Sequence, residues 1–295
     1  MTRVYIESGE EIMKLIAIDL DGTLLSGNKM ISKENAEAIR KCQEAGHVVA
    51  ICTGRSIVDI ERLLLEVNLE CPIIAENGAL IYNDKKMMER YPIQNMQALE
   101  IVNYLEENGL YYQLYTNKGV YVPEYGVESV RNEIDYVKNS NENIDLKELE
   151  TIAALYLEHT AFFSAESCKP IVETDIHVHK LLPFSYDMEK LKKLKETFLH
   201  NTDLAITSSY WHNLEINHRD AQKGNGLYTL AEHLNIPVEN TVAIGDGLND
   251  VSMMEKANLS IAMGNAVEEI KSMCQYETLT NEEHGVAYAL YKYVM

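Results

Sequence analysis

Polar side chains that could bind a metal ion or a phosphate group follow several short apolar segments. These side chains are carboxylates, a hydroxyl and amides: Asp19, Asp21, Thr53, Glu76, Asn77, Asp246, Asn249 and Asp250. Ligands of open parallel sheets bind beyond the carboxyl ends of the strands, where such residues meet. A hard cation such as Mg2+ prefers oxygen ligands of these kinds. The sequence therefore predicts a cation site, which would offset the cost of burying Asp19 and Asp21 at the end of a core strand.

The apolar segments have the pattern of buried parallel strands. They are KLIAIDL (14–20), HVVAICT (47–53), CPIIAENG (71–78), TVAIGDG (241–247) and LSIAMG (259–264). Continuous rather than alternating apolar residues are typical of strands covered on both faces. Helical segments lie between them, one with Ser32 as its N-cap and Gly46 at its end, and another after Arg55. This alternation predicts an α/β fold with a doubly wound parallel sheet.

The segment 84–219 has a different pattern. YYQLYT and GVYVPE flank an Asn-Lys-Gly turn, and LAITSS and HNLEIN flank Tyr210 and Trp211, so two antiparallel hairpins are expected. Two amphipathic helices accompany them. We therefore predict an α+β domain, inserted between the core segments 1–83 and 220–295. Within it the polar stretch 127–150 fits either a helix or a long loop.

Composition restricts the partners and the compartment. The 295 residues include 26 Lys and Arg against 46 Asp and Glu, and the formal net charge of -20 repels nucleic acid and anionic membranes. The 5 cysteines form no CxxC pair, which favours reduced thiols. Apolar runs fall short of the roughly 18 residues of a membrane span. We expect a cytoplasmic protein, monomeric or homodimeric, that binds neither nucleic acid nor membrane.

Four short motifs, in this order along the chain, resemble those of haloacid dehalogenase superfamily phosphatases. They are DLDGTLL (19–25), TGR (53–55), the lysine of QKGNGL (Lys223) and GDGLND (245–250). The ENGALI segment, the large insertion after it and the EIN segment before the lysine look like the Cof-type branch of sugar-phosphate phosphatases. The DxDGT and GDxxND motifs are the specific part of the resemblance.

The resemblance implies a Mg2+-dependent phosphatase acting on small phosphate monoesters such as sugar phosphates. Asp19 would attack phosphorus and form an aspartyl-phosphate, and Asp21 would act as general acid and then as general base. Thr53 would donate a hydrogen bond to the phosphoryl group, and Lys223 would place a positive charge beside it.

The resemblance also implies two sets of binding residues. The expected metal ligands are Asp19, Asp21 through its backbone carbonyl, Asp246, Asn249 and Asp250. The expected phosphate-binding residues are Leu20, Thr53, Gly54, Arg55, Lys223 and Asn249. For Arg55 two interpretations stay open, since it either guides phosphate or pairs with a surface carboxylate.

The inserted domain is expected to cover the strand-end site, because water would otherwise compete for the aspartyl-phosphate. One of its hairpins carries Tyr210, Trp211 and His212 shortly before Lys223. We predict that Trp211 and His212 contact the organic part of the substrate. Packing within the inserted domain is the alternative for both residues.

Other interpretations of single residues are weaker. His177 and His179 share a strand face but have no third ligand at a suitable spacing, and Cys52 lacks the Cys-x5-Arg spacing of thiol phosphatases. A phosphomutase and a non-catalytic phospholigand-binding protein are the alternative functions of the same scaffold. Met13 begins MKLIAIDLDGTLL, so we expect translation to start there, with residues 1–12 either untranslated or a disordered tail.

Overall fold

The computed structural model describes residues 12–140, 146–157 and 162–295. Residues 1–11 of the expected N-terminal extension lie outside the described residues. Strands and helices are numbered in chain order. No described helix is both long enough and apolar enough to cross a membrane.

The larger sheet contains eight strands in the described part of the chain, in the order β14-β13-β12-β1-β2-β3-β4-β5. Their bounds are β1 (Leu15–Ile18), β2 (Val48–Cys52), β3 (Ile73–Ala75), β4 (Leu80–Asn83), β5 (Lys86–Arg90), β12 (Thr241–Gly245), β13 (Leu259–Ala262) and β14 (Tyr276–Glu277). The pairings from β14 through β12, β1 and β2 to β3 are parallel, and β4 and β5 pair antiparallel. The five strands predicted from apolar runs are β1, β2, β3, β12 and β13, so this part of the prediction is confirmed.

Every residue of β1 and β12 is buried, so both faces of this sheet are covered at its centre. The helices are α1 (Lys33–Glu44), α2 (Ile57–Glu66), α8 (Lys223–His233), α9 (Val251–Lys256), α10 (Glu268–Met273) and α11 (Gly285–Ala289). Helix α1 packs against α11, and α8 packs against α9. Ser32 caps α1 as predicted, since its side chain accepts a hydrogen bond from the backbone N–H of Asn35. The α/β class with a doubly wound core is confirmed.

The smaller sheet, here called the cap sheet, has six described strands in the order β10-β11-β9-β6-β7-β8. They are β6 (Tyr111–Thr116), β7 (Gly119–Pro123), β8 (Phe162–Ala165), β9 (Val178–Phe184), β10 (Leu204–Thr207) and β11 (Glu215–His218). The β6–β7 and β10–β11 pairs are antiparallel, as the hairpin patterns predict, whereas β7 and β8 are parallel. Helices α3 (Asn95–Glu107), α4 (Gly126–Ser140), α5 (Leu146–Leu157), α6 (Lys169–Val172) and α7 (Met188–Phe198) accompany it. Over 127–150 the described residues are therefore helical.

The larger sheet extends past the expected domain boundary at residue 83. Strand β5 hydrogen-bonds to β4, so the chain leaves this sheet after Arg90. Asp84 and Lys85 join the two strands with φ values of 49° and 59°. Positive φ at both residues is what a two-residue type I′ turn requires, usually with Asn or Gly. Neither Asp84 nor Lys85 is Asn or Gly, so the sequence did not predict this hairpin.

Asn35 joins three parts of the core, and we expect its loss to be costly. Its buried side-chain amide donates to the Leu24 carbonyl (3.3 Å) and accepts from the Ala287 N–H (3.0 Å). Asn35→Ala leaves both backbone groups unpaired and should lower the free energy of unfolding by about 2 kcal/mol. Urea unfolding measures this loss. Glu37→Ala, an exposed change on the same helix, should stay within about 0.5 kcal/mol of the wild type. Equal stability of the two variants would contradict the structural role of Asn35.

Candidate functional site

The site forms where β1 and β12 end side by side. These strands pair in parallel with Ile18 opposite Ile244, so Asp19 and Asp246 leave the sheet at the same edge. Carboxylate oxygens of Asp19, Asp246 and Asp250 lie within 4.8 Å of one another, and we call these three residues the acidic cluster. Hard carboxylate oxygens that converge in a mostly buried place suit a divalent cation.

The acidic cluster is electrostatically unfavourable without a cation. Burial, together with the neighbouring Asp250 and Asp246, raises the pKa of Asp19 well above its usual value, although Lys223 opposes this effect. Burial and Asp250 raise the pKa of Asp246 to about 7. Desolvation and like charges both disfavour the ionised carboxylates. A bound cation would remove the second cause, so the cluster fits a metal.

Gly22 and Thr23, in the first motif, contact the carboxylate of Asp246 and hold it in place. Gly22 has a φ of 79°, and a Cβ at this position would collide with the Asp246 carboxylate. Glycine is therefore required both by the backbone and by the close approach of the two segments. The Thr23 hydroxyl donates to Asp246 Oδ1 over 2.6 Å. Sequence reasoning did not assign Thr23, although its place directly after the Asp-x-Asp-Gly segment was the available signal.

Lys223 and Asp250 form the buried centre of the site. Lys223 begins α8, and its Nζ donates to Asp19 Oδ1 (2.7 Å) and to Asp250 Oδ1 (2.6 Å). Burial lowers the pKa of Lys223, but Asp19 and Asp250 outweigh it and raise the pKa well above the usual value. The other oxygen of Asp250 accepts from the N–H groups of Asp246 and Gly247 (2.9 and 3.0 Å). Asp250 thus orients both the lysine and the loop after β12.

Arg55 pairs with Asp21 inside the cavity. Its Nε and Nη2 donate to the two oxygens of the Asp21 carboxylate over 2.7 and 2.6 Å, a bidentate arrangement. Of the two interpretations left open for Arg55, pairing with a carboxylate is observed, but this carboxylate lines the candidate site. The Asp21 carboxylate is not a member of the acidic cluster.

Of the remaining residues expected to bind phosphate or metal, some line the cavity and one does not. Thr53 is buried at the end of β2, and it lines the cavity with Gly54 and Asn249. The Leu20 side chain is fully buried in the core and is not among the lining groups of the cavity, so only its backbone can contribute to binding.

A cavity of about 580 Å3 extends from the acidic cluster to the cap sheet. Its cap side is lined mainly by aromatic and long polar side chains, namely Gln113, Tyr115, Tyr156, Lys180, Tyr210 and Trp211. The site residues at the sheet edge therefore form one end of the cavity, and the inserted domain forms the other.

The hairpin residues Trp211 and His212 both line the cavity but differ in exposure. Trp211 is 53% exposed, whereas His212 is 4% exposed and packs against Phe184 and Tyr210. Burial lowers the pKa of His212 to about 4, so its ring is neutral at pH 7. Burial and the carboxylates of Asp21, Asp246 and Asp19 raise the pKa of Tyr210 to about 12. Tyr210, which sequence reasoning placed at the hairpin tip without a role, therefore faces the acidic end.

Two residues expected at the cation site lie elsewhere. Glu76 faces His179 of the cap sheet, with 3.1 Å between Oε2 and Nδ1, and Asn77 Nδ2 donates to Glu215 Oε2 over 2.5 Å. Both belong to the contact between the two sheets. Burial strongly raises the pKa of the Cys52 thiol, which agrees with a packing role rather than a nucleophilic one.

The fold and the strand-end carboxylates define a haloacid dehalogenase-like hydrolase. The family model for haloacid dehalogenase-like hydrolases matches residues 16–290, and the chain belongs to this family. It is a phosphoric monoester hydrolase, with an α+β cap inserted into the α/β core.

Curated relatives and a solved structure match over nearly the whole chain. Phosphatase YwpJ of Bacillus subtilis (strain 168) is 39% identical over 281 residues, which cover 94% of this chain and 99% of YwpJ. The 5-amino-6-(5-phospho-D-ribitylamino)uracil phosphatase YwtE of the same strain is 38% identical over 277 residues, covering 94% and 96% of the two chains. A solved haloacid dehalogenase-like hydrolase from B. subtilis superposes with a TM-score of 0.84 at 38% identity, covering 96% of this chain and 100% of the other.

Divalent cation binding should stabilise the protein, because it removes the repulsion within the acidic cluster. MgCl2 at about 100 times its dissociation constant should add about 2.7 kcal/mol of stability. Thermal melting with MgCl2 and then with excess EDTA measures the effect. Asp246→Asn should abolish the increase, whereas Asp59→Asn, in the same cavity but outside the acidic cluster, should retain it. An equal increase in both variants would place the cation elsewhere.

Proposed function

We propose that the chain is a Mg2+-dependent phosphatase that hydrolyses small phosphate monoesters through an aspartyl-phosphate on Asp19. The observation that carries the proposal is the position of Asp19, buried at the end of β1 with Oδ1 held by Lys223 and beside Asp246 and Asp250. Such an arrangement neutralises and orients a carboxylate that must attack an anionic phosphoryl group. The relatives named as phosphatases support the same conclusion.

In the first half of the reaction, an oxygen of Asp19 forms a bond to phosphorus while the bond from phosphorus to the ester oxygen breaks. Lys223 and Thr53 stabilise the charge of the phosphoryl oxygens, aided by backbone N–H groups of the adjoining loops. Asp21 acts in its protonated form, with one oxygen released by Arg55, and donates this proton to the departing alcohol, which leaves Asp21 as a carboxylate. In the second half Asp21 takes a proton from water, which attacks phosphorus and releases Asp19 and inorganic phosphate.

Arg55 gives Asp21 a defined position in this scheme. The bidentate pair holds the Asp21 carboxylate in the cavity wall. A phosphate ester entering the cavity offers Arg55 a second anion with matching geometry. We propose that Arg55 shares its donors between Asp21 and the phosphoryl group, which brings the acid near the leaving oxygen.

The residues proposed to hold Mg2+ are Asp19, Asp246 and the backbone carbonyl of Asp21, with Asn249 beside them. When bound, the cation would reduce the repulsion between the Asp19 carboxylate and the phosphate and withdraw charge from the phosphoryl oxygens. Asp250 has an orienting role in this proposal, because both of its oxygens already accept hydrogen bonds from Lys223 and the loop after β12.

The proposed partner is a small phosphorylated metabolite, a sugar phosphate or an ester of similar size. The aromatic cap side of the cavity supports a substrate whose organic part stacks on Tyr210 or Trp211. The relative YwtE is named for a phosphate ester that contains a uracil group, which is planar in the same way. A cytoplasmic location is proposed because all five cysteines are free. The monomeric or homodimeric state stays a prediction.

Asp19→Asn tests the nucleophile. An amide is not anionic and cannot form the aspartyl-phosphate, so kcat should fall more than about 100-fold, equivalent to about 2.7 kcal/mol of transition-state stabilisation. Phosphate release in the presence of MgCl2 measures this, over a panel of sugar phosphates, nucleotides and acetyl phosphate. Asp59→Asn is the matched control and should keep near wild-type turnover. Ordinary turnover by Asp19→Asn would remove Asp19 from its role.

Substitutions of the two hairpin residues should have different effects, one on substrate specificity and the other on stability. Trp211→Ala should change the ratio of kcat/KM between bulky esters and acetyl phosphate about tenfold, because an exposed aromatic contact is lost while the acidic cluster stays intact. His212→Ala should instead lower the melting temperature, since a buried side chain leaves a cavity. Steady-state kinetics and thermal melting on both variants distinguish the two effects. Equal losses on every substrate for Trp211→Ala would contradict leaving-group contact.

A further inference from the structure

The loop of Thr53, Gly54 and Arg55 is held by its three backbone carbonyl groups. The Thr53 carbonyl accepts from the N–H of Asn77 (2.9 Å), and the Arg55 carbonyl accepts from the N–H of Glu76 (3.1 Å). Both of these donors belong to the core. The Gly54 carbonyl is different, because it accepts from Nζ of Lys180 over 2.5 Å, and Lys180 lies on β9 of the cap sheet.

Lys180 is an unusual donor for this task, because its side chain is 1% exposed. A buried ammonium group is costly unless its charge is compensated. Its Nζ lies 3.8 Å from Glu215 Oε1 and 4.2 Å from the centroid of the Tyr115 ring. These two contacts are both made within the cap sheet, so the cap holds the cation and the core supplies the carbonyl.

The hydrogen bond to the Gly54 carbonyl fixes the next N–H group as well. A trans peptide is planar, so the C=O of Gly54 and the N–H of Arg55 point in opposite directions. That N–H is directed to Thr53 Oγ1, at 3.3 Å, and Thr53 lines the cavity. Glycine at position 54 gives this peptide more rotational freedom than another residue would. Lys180 therefore determines which way the peptide faces.

Glu215 connects the same loop to the substrate hairpin. Its Oε1 accepts from Ser209 Oγ (2.8 Å), and its Oε2 accepts from Asn77 Nδ2 (2.5 Å). Ser209 directly precedes Tyr210 and Trp211, which line the cavity. A Cβ on Gly54 would lie 3.2 Å from Glu215 Oε1, so the loop packs closely against this carboxylate. One buried network thus spans the hairpin, the cap sheet and the loop after β2.

We propose that Lys180 is a positioning residue that orients the phosphate-binding loop of the core from the cap, with Glu215 as its counter-ion. The inference rests on the proposed function, since it assigns the loop 53–55 to phosphate. It makes the geometry of the phosphate end depend on the seating of the cap.

Lys180→Met tests the proposal, because it keeps the length of the side chain and removes the donor. The dissociation constant for inorganic phosphate, measured by titration calorimetry, should rise about 10- to 100-fold. The value of kcat/KM for acetyl phosphate should fall by the same factor. Larger esters should lose the same factor, so the ratios between substrates stay unchanged. Amide hydrogen exchange at Arg55, followed by NMR without ligand, should become faster.

Lys190→Met is the matched control. Lys190 is also a cap lysine with a glutamate partner, Glu133 at 2.8 Å, but it lies on α7 and does not contact the loop 53–55. It should leave phosphate binding and Arg55 exchange unchanged. If Lys180→Met does not fold, Glu215→Gln replaces it. This change keeps the size of the side chain and one acceptor oxygen, which can serve Asn77, while the Ser209 hydroxyl can accept from the new amide group. It leaves Lys180 without its counter-ion.

Wild-type phosphate binding and Arg55 exchange in a folded Lys180→Met protein, or in Glu215→Gln where that variant replaces it, would overturn the proposal. A loss confined to the larger esters would also overturn it, because Lys180 would then contact the leaving group directly. A different experimental result would show that the proposed function itself is wrong. The wild-type protein would then release no phosphate from any ester with MgCl2, while Arg55 exchange could still respond to Lys180→Met.

Discussion

The buried contact of Lys223 with Asp19 and Asp250 is the interaction on which the site depends. A single ammonium group lies between two carboxylates that come from opposite ends of the chain, one after β1 and the other in the loop after β12. Removing it would leave both carboxylates buried without compensation, at a cost of about 3–5 kcal/mol. The position of α8 is thereby tied to the two central strands, and the acidic cluster takes its shape from this arrangement.

The net charge of the protein makes local compensation essential. With a formal net charge of -20, the protein as a whole repels the phosphate that the site is built to bind. The site offsets this through Arg55 and the buried Lys223 at the core and Lys180 at the cap, each of them paired with a carboxylate. Each cation is thus oriented before substrate arrives, which lowers the reorganisation that binding requires. A cation held by the acidic cluster would add positive charge at the same end of the cavity.

The two layers of the protein have separate tasks that meet at one loop. The core presents the acidic cluster on short connections after buried parallel strands, where neighbouring strands limit movement. The cap presents aromatic side chains on a hairpin, where substitution changes the surface without disturbing the carboxylates. The loop 53–55 belongs to both, because Asn77 and Glu76 bind it from the core and Lys180 binds it from the cap. In the proposed function, leaving-group recognition and phosphate binding are physically connected at this loop.

The sequence by itself determined the parallel core and most of the acidic end. Continuous apolar runs locate buried strands, and residues directly after such strands meet at one edge, so Asp19, Thr53 and Asp246 follow from local pattern alone. Tertiary structure alone decided the pairing of Asp21 with Arg55, the burial of His212, the β4–β5 hairpin and the contacts of Lys180 and Glu215. Lys180 lies 126 residues from Gly54, and its neighbours along β9 are ordinary strand residues. No local periodicity encodes which buried lysine meets which distant carbonyl, because that choice depends on how the cap sheet is seated against the core.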